Sequence, residues 1–77
     1  MKIPVKYYGL IAEAVNKNDD LISFSGTSVE DLLEVLFKKY PVLKTKDFQV
    51  AQHNHLLSKN ETLDETELAL LPPFAGG

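Results

Sequence analysis

The residues best suited to chemistry lie at the C-terminus of the chain, in the segment PPFAGG, residues 72–77. We expect the carboxylate of Gly77 to be the reactive group. A free carboxylate is a poor acyl donor because oxide is a poor leaving group, so it must first be activated, most simply by ATP to an acyl-adenylate. A sulfur nucleophile that displaces AMP would then leave a C-terminal thiocarboxylate. Its sulfur is a better nucleophile than a carboxylate oxygen.

The rest of this segment suits insertion of the terminus into another protein. Glycines have no Cβ, so the last residues can extend through a narrow channel and approach a partner's catalytic groups closely. Two prolines hold the base of the tail extended, which lowers the ordering cost of insertion. The aromatic residue after them is then placed as an anchor. We predict that the catalytic position is Gly77 and that the partner-binding tail is Pro72, Pro73, Phe74, Ala75 and Gly76.

Other reactive residue types give weaker signals. The chain has no cysteine, which excludes disulfides, thiolate metal sites and thiol nucleophiles on its own side chains. His53 and His55 could ligate a metal, but no acidic or cysteine cluster accompanies them at suitable spacing. We therefore predict that both histidines are hairpin residues, that no metal is bound, and that the acidic run at 64–67 is a solvated turn.

Length and charge limit the possible functions. A chain of 77 residues is expected to form one domain, residues 1–77, too small for a deep catalytic cleft of its own. If it takes part in catalysis, a partner must supply much of the site. The net charge of -3 and the absence of arginine argue against nucleic-acid binding. No apolar run approaches the roughly 20 residues of a membrane span, and MKIPVKYYG lacks the apolar region of a secretory signal, so we expect a cytoplasmic protein.

The first half of the chain alternates between strand and helix patterns. Residues 2–8 alternate apolar and polar and predict a strand, in which Pro4 predicts a bulge or an unpaired position. Residues 10–15 predict a short helix that ends at Asn16 or Asn18, since asparagine tolerates a left-handed conformation. Residues 21–25 predict a second strand, with Ile22 and Phe24 facing inward.

The clearest helix begins near residue 27. Thr27 and Glu30 have the spacing of a capping box, and Pro41 disfavours helical geometry at Tyr40, so the helix should end there. Its apolar residues recur at helical spacing and predict one buried stripe: Val29, Leu32, Leu33, Leu36, Phe37 and Tyr40.

Three more strands are predicted after a loop. Residues 48–52 alternate with Phe48 and Val50 inward, residues 53–57 form a turn into a short strand, and residues 67–71 form the last strand, with Leu68 and Leu70 in the core. The order strand, strand, helix, strand, strand, strand is that of an α+β ubiquitin-like β-grasp. In this fold a mixed sheet of about five strands curls around one main helix.

Together with this pattern, the ending ALLPPFAGG resembles the small subunit of molybdopterin synthase, the MoaD-type sulfur carrier of the ubiquitin-like superfamily. KYYGLIAEAV and TSVEDLLEVLFKKYP extend the resemblance over nearly the whole chain, although only the ending is specific. The chain departs from the family at residues 64–67, where members commonly have a Gly-Asp turn. Members also often have an asparagine near the third turn, where this chain reads Gln52-His53-Asn54-His55.

The resemblance implies a reaction cycle and a set of partners. Members of this family are adenylated by a ubiquitin-activating-type adenylyltransferase that uses ATP, and they receive sulfur from a donor protein. Their thiocarboxylated tail enters the large subunit of molybdopterin synthase in a heterotetramer, and sulfur passes to a pterin precursor that will bind molybdenum or tungsten. The catalytic lysines lie on the large subunit. The small subunit is then part of a sulfurtransferase and binds no cofactor itself.

The residues leave other readings open. Sulfur carriage for thiamin or for tRNA thiolation would use the same tail, and the Pro-Pro-aromatic stretch favours molybdopterin only by resemblance. A protein modifier that forms isopeptide bonds shares the same activation step. A non-covalent interaction domain would use the fold without this chemistry.

Overall fold

The computed structural model describes residues 1–73 of the chain. The strands are β1 (Lys2–Tyr7), β2 (Asp19–Ser23), β3 (Gln49–Gln52), β4 (His55–Leu57) and β5 (Leu68–Leu71). The helices are α1 (Gly9–Val15) and α2 (Val29–Lys39), and a short 3-10 helix follows at Pro41–Thr45, where we had predicted only a loop.

The strands form one sheet in the order β2-β1-β5-β3-β4. β1 and β5 are parallel neighbours at the centre, whereas the other pairs are antiparallel. This arrangement confirms the predicted mixed sheet and the α+β ubiquitin-like β-grasp. Because β5 lies in the middle, its C-terminal end leaves the sheet between two hydrogen-bonded neighbours rather than from an edge.

The core lies between one face of the sheet and α2. Alternate residues of β1 and β5 point into it, so Ile3, Val5, Leu68 and Leu70 are fully buried, which confirms the two leucines as core residues. The predicted helical stripe is confirmed in its first four positions, which are buried, while Phe37 and Tyr40 are half-buried at the margin.

The capping box of α2 lies one residue later than predicted. The Ser28 side chain accepts a hydrogen bond from the Asp31 amide at 3.2 Å, and the Asp31 carboxylate accepts from the Ser28 amide, also at 3.2 Å. Thr27 and Glu30 fit the same sequence pattern, so the pattern did not choose between them. Tertiary contacts do, because the next two amides donate to the carbonyls of Glu61 and Lys59.

The boundaries of α1 and β2 also differ from the sequence prediction. α1 begins at Gly9 and ends at Asn16, which is left-handed at φ 61°, so the first of the two predicted asparagines ends it. β2 begins two residues earlier than predicted, and Phe24 is buried beyond its end.

Of the two alternatives predicted at Pro4, the bulge is wrong, because β1 pairs with β2 in an unbroken register. The unpaired position is confirmed on the side of β5. The Tyr7 amide donates toward β2 and the Tyr8 amide toward β5, so alternation points position 4 toward β5. The β5 pairing starts only at Val5, and the missing donor of Pro4 therefore breaks no bond of the ladder.

A half-buried carboxylate, that of Asp20, links β2 and β1 to the end of α2. Asp20 accepts hydrogen bonds from the hydroxyls of Tyr40 at 2.6 Å and Tyr7 at 3.3 Å, and forms an ion pair with Lys39 at 3.2 Å. Burial alone would raise the pKa of Asp20, but the hydrogen bonds from Tyr40 and Lys39 outweigh it and hold this pKa below its usual value. Burial and the Asp20 hydrogen bond raise the pKa of Tyr40 to about 12.

Candidate functional site at the tail root and the open face of the sheet

The C-terminal tail begins at Pro72, directly after the end of β5, and we call this point the tail root. The Tyr8 amide donates to the Leu70 carbonyl at 3.1 Å, and Leu71 pairs with Gln49 of β3. Pro72 is half-buried and Pro73 is exposed. The other predicted tail residues, Phe74, Ala75, Gly76 and Gly77, lie outside the described residues, so the roles assigned to them stay predictions.

Gly9 lies directly beside the root of the tail. Its φ of +56° is in the left-handed region, and a Cβ built on it would lie 3.1 Å from the Cγ of Pro72. A side chain at this position would therefore be strained by the backbone and would also press on the proline ring. The absence of a side chain lets Pro72 pack closely against the start of α1.

A shallow groove of about 440 Å³ opens beside the tail root, on the face of the sheet opposite the core. We call it the sheet-face groove and define it by the residues that line it. Its floor is apolar and consists of Tyr8, Ala51, Leu56, Ala69 and Leu71, and its rim is formed by Gln52, His53, Asn54 and Glu67.

The floor follows from strand alternation and register. The inward residues of β3 and β5 belong to the core, so the residues between them face outward, and Ala51 is paired with both Ala69 and Leu56. Two alanines side by side leave a depression between larger neighbours. Tyr8 and Leu56 remain 43% and 59% exposed, which makes this a solvent-facing apolar surface rather than part of the core.

His53 belongs to a tight turn at one end of this groove. His53 and Asn54 have φ of 55° and 62° between β3 and β4, the two positive values of a type I′ hairpin turn, and His55 opens β4. This confirms the prediction of hairpin residues. Within residues 1–73, no group of three or more His, Cys, Asp or Glu side chains is arranged to hold a metal ion.

His53 is also tied to the segment that leads into β5. Its Nε2 lies 2.6 Å from a carboxylate oxygen of Asp64 and 3.0 Å from the Thr66 hydroxyl. The Thr66 hydroxyl also donates to Asp64 at 2.5 Å, and these side-chain hydrogen bonds from Thr66 and His53 lower the pKa of Asp64 to about 2. The predicted solvated acidic turn is therefore exposed, but it is ordered by local hydrogen bonds.

Gln52 is a buried polar residue that the sequence reasoning missed. Its Nε2 donates to the carbonyls of Asp64 at 3.1 Å and Thr66 at 2.9 Å, and its Oε1 accepts from the Asp64 amide at 3.2 Å. These three hydrogen bonds hold the chain where the family commonly has a Gly-Asp turn. A signal was present, because alternation places Gln52 on the same inward face as Val50.

The outward residues of the sheet-face groove and Gly9 were also missed. Outward positions of a strand are usually polar, and an apolar or small residue at several of them in succession was the available signal.

No helix among the described residues is long and apolar enough to cross a membrane.

The order of strands and the central β5 define a ubiquitin-like β-grasp protein whose C-terminal segment leaves from the middle of the sheet. The chain belongs to the ThiS family, which it matches over residues 5–77. The predicted membership of the ubiquitin-like proteins of the MoaD and ThiS type is confirmed by this match.

Several solved structures share the fold. The putative molybdopterin converting factor subunit 1 from Pyrococcus furiosus is 22% identical with a TM-score of 0.86, covering 96% of this chain and 99% of that chain. SAMP1, small archaeal modifier protein 1, from Haloferax volcanii is 22% identical with a TM-score of 0.81, and all of both chains is covered. The complex of subunits 1 and 2 of molybdopterin-converting factor from Helicobacter pylori also matches, with 22% identity, a TM-score of 0.67 and full coverage of both chains.

Proposed function

We propose that this protein is a sulfur carrier that acts through a thiocarboxylate at Gly77 and donates sulfur to a pterin precursor in molybdopterin biosynthesis. The observation that carries the proposal is the position of the tail root. β5 ends at Leu71 in the centre of the sheet, and Pro72–Pro73 follow it beside an open apolar groove. A tail that starts there can enter a partner's active site while the partner rests on the groove.

The proposed chemistry has four steps. A carboxylate oxygen of Gly77 attacks the α-phosphorus of ATP, which gives the acyl-adenylate and pyrophosphate. Hydrosulfide, or an equivalent from a sulfur-donor protein, then attacks the carbonyl carbon and AMP leaves, so the C–O bond to AMP is replaced by a C–S bond. The thiocarboxylate sulfur next attacks an electrophilic carbon of the acceptor and displaces a leaving group from it. Water then cleaves the resulting thioester, which returns Gly77 to a carboxylate and leaves the sulfur on the acceptor as a thiol.

None of the described side chains is needed for these bond changes. The catalytic groups are then those of the partners, namely an adenylyltransferase of the ubiquitin-activating type and the synthase large subunit. The described part of the chain supplies recognition. Exposed apolar surface of this kind is typical of protein-binding sites. The sheet-face groove adjoins the start of the tail, because Leu71, which precedes Pro72, lines its floor. We propose that both partners dock there in turn.

The molybdopterin assignment rests on similarity of fold and ending. Two of the similar structures are named as molybdopterin converting factor subunits, and one of them is a complex of subunit 1 with subunit 2. This supports a large-subunit partner for the present chain. Sulfur carriage for thiamin or tRNA thiolation remains an alternative within the same chemistry.

A second candidate function is protein modification. The similarity to SAMP1, which is named a small archaeal modifier protein, favours it specifically. A modifier would undergo the same adenylation, but a lysine amine would attack the activated carbonyl and form an isopeptide bond. Carrier and modifier therefore differ only in the nucleophile that follows activation.

The deciding experiment is the intact mass of the protein after incubation with the activating enzyme, ATP and a sulfur source. A mass gain equal to the exchange of one oxygen for sulfur supports the carrier, and masses of lysine conjugates support the modifier. Deletion of Gly77, or addition of one residue after it, displaces the reactive carbon by about 3.3–3.6 Å and should abolish transfer while the fold is unchanged. Sulfur transfer by either variant would refute the carrier proposal.

The pathway is tested by supplying the charged protein with each acceptor system in turn. We expect product only with the synthase large subunit and the pterin precursor. The activating enzyme should also compete with the large subunit, since both require the same tail. A stable complex of all three proteins would contradict this part of the proposal.

A further inference from the structure

The tail leaves the sheet beside a close approach between Pro72 and Gly9. On the β1 side, the hydrogen bond from the Tyr8 amide to the Leu70 carbonyl is the last one that β5 forms in the described part of the chain. Pro72 and Pro73 have no amide hydrogen, so they cannot extend the ladder. Beyond the ladder, the ring of Pro72 lies close beside Gly9.

Gly9 fits this contact for two separate reasons. Its φ of +56° is a conformation that side chains other than glycine rarely adopt. Its hypothetical Cβ would lie 3.1 Å from the Pro72 Cγ and 3.7 Å from the Cδ, so the proline ring would have to move by a few tenths of an ångström. If that displacement is passed to the Pro72 backbone, it redirects the chain that follows.

We infer that Gly9 is a positioning residue for the C-terminal tail. Because Gly9 has no side chain, Pro72 can pack closely beside it, and this packing directs the tail toward its partners. This inference rests on the proposed function, in which the tail must reach a partner's catalytic groups. Catalysis is sensitive to such a change, since a misplacement of about 1 Å can reduce a rate by about 100-fold. For a shift of a few tenths of an ångström, we expect about a tenfold loss.

The test is a double-mutant cycle on adenylation and sulfur transfer, using Gly9→Ala, Pro72→Ala and the two combined. We expect Gly9→Ala to lower kcat/KM about tenfold for each folded molecule. The double variant has no proline Cγ to press on, so its kcat/KM should return to within about threefold of Pro72→Ala alone. If the two losses simply multiply, the Gly9–Pro72 contact does not position the tail and the inference is overturned.

Gly26→Ala is the matched control for loss of stability. Gly26 also has a positive φ, 111°, and a Cβ there would overlap the Asp31 carboxylate in the capping box of α2, far from the tail in the chain. This variant should be destabilised at least as much as Gly9→Ala, yet retain wild-type kcat/KM per folded molecule. An equal loss of activity in both variants would mean that strain in general, and not the tail root, controls transfer.

A measurement without activity separates this inference from the proposed function. Wild-type NMR spectra should show a nuclear Overhauser contact between the Gly9 α-protons and the Pro72 ring. Gly9→Ala should shift the Pro73 resonances more than Gly26→Ala does. If wild type accepts no sulfur but these signals behave as expected, the proposed function is refuted while the role of Gly9 in positioning Pro72 is supported. If the contact between Gly9 and Pro72 is missing, the inference is refuted whatever the activity.

Discussion

Leu56→Ala is the sharpest test of the sheet-face groove. Leu56 lies on the edge strand β4, faces away from the core and is 59% exposed, so its side chain contributes little to folding but can be covered by a partner. We expect the variant to fold normally and to bind the synthase large subunit more weakly. The same loss should be seen with the activating enzyme, because both partners are proposed to rest on this groove.

The size of the effect follows from the exposed fraction. Complete burial of a leucine side chain is worth about 1.5–3 kcal/mol. With 59% of Leu56 still exposed, docking can gain about 0.9–1.8 kcal/mol from this residue. Alanine keeps the β-carbon, so we expect a loss of about 1 kcal/mol, or about a fivefold rise in Kd.

Leu21→Ala is the matched control for this measurement. Leu21 is also 59% exposed and faces the same side of the sheet, but it lies on β2, the opposite edge strand. Four inter-strand spacings of about 4.8 Å place it about 19 Å from β4. Leu21→Ala therefore removes the same amount of exposed apolar surface as Leu56→Ala, but leaves the sheet-face groove unchanged.

The assay is titration calorimetry of each variant against the large subunit, with the thermal unfolding midpoint measured on the same samples. We expect Leu56→Ala to raise Kd about fivefold and Leu21→Ala to change it by less than about twofold. Equal effects of the two substitutions, or an unchanged Kd for Leu56→Ala, would refute the groove as the docking surface.

Three further predictions follow from the other contacts. Asp20→Ala leaves the Tyr40 hydroxyl without its acceptor and should cost about 1–3 kcal/mol in urea unfolding. Because the pKa of Asp20 is lowered in the folded state, its carboxylate stabilises the protein above its unfolded pKa of about 3.9, and the difference between wild type and variant should shrink as the pH falls below that value. Ser28→Ala should cost about 0.5–2 kcal/mol while Thr27→Ala costs much less, and the reverse order would restore the capping box first predicted from the sequence. Phe74→Asp should weaken binding to the large subunit about tenfold to hundredfold with little change in melting temperature, and earlier melting with normal binding would make Phe74 a core residue.

Periodicity in the sequence was sufficient for the five strands, the two α-helices and the fold, but not for the 3-10 helix at Pro41–Thr45. Strand alternation and the helical stripe depend on which residues must leave water, and this is a local property of the pattern. Leu68 and Leu70, for example, were placed in the core by alternation alone. The tail was recognised for a similar reason, because Pro72–Pro73 before two glycines determines backbone freedom whatever surrounds it.

Positions where two local patterns were equally good required tertiary structure. Thr27 and Ser28 each satisfy the capping pattern, and the choice between them depends on the carbonyls of Glu61 and Lys59, more than 25 residues away in the chain. In the same way, Pro4 looked disruptive until the sheet showed that its missing amide faces a place where β5 has not yet begun.

The candidate site itself was only half visible in the sequence. The tail is contiguous in the chain, whereas the sheet-face groove joins outward residues of three strands with Tyr8, and Gly9 meets Pro72 across 63 positions. Which residues share a face across strands depends on register and strand order, and these are set by long-range pairing rather than by local pattern. The sequence by itself therefore determined what the tail is made of, and only the tertiary structure decided where it leaves the sheet and which surface lies beside it.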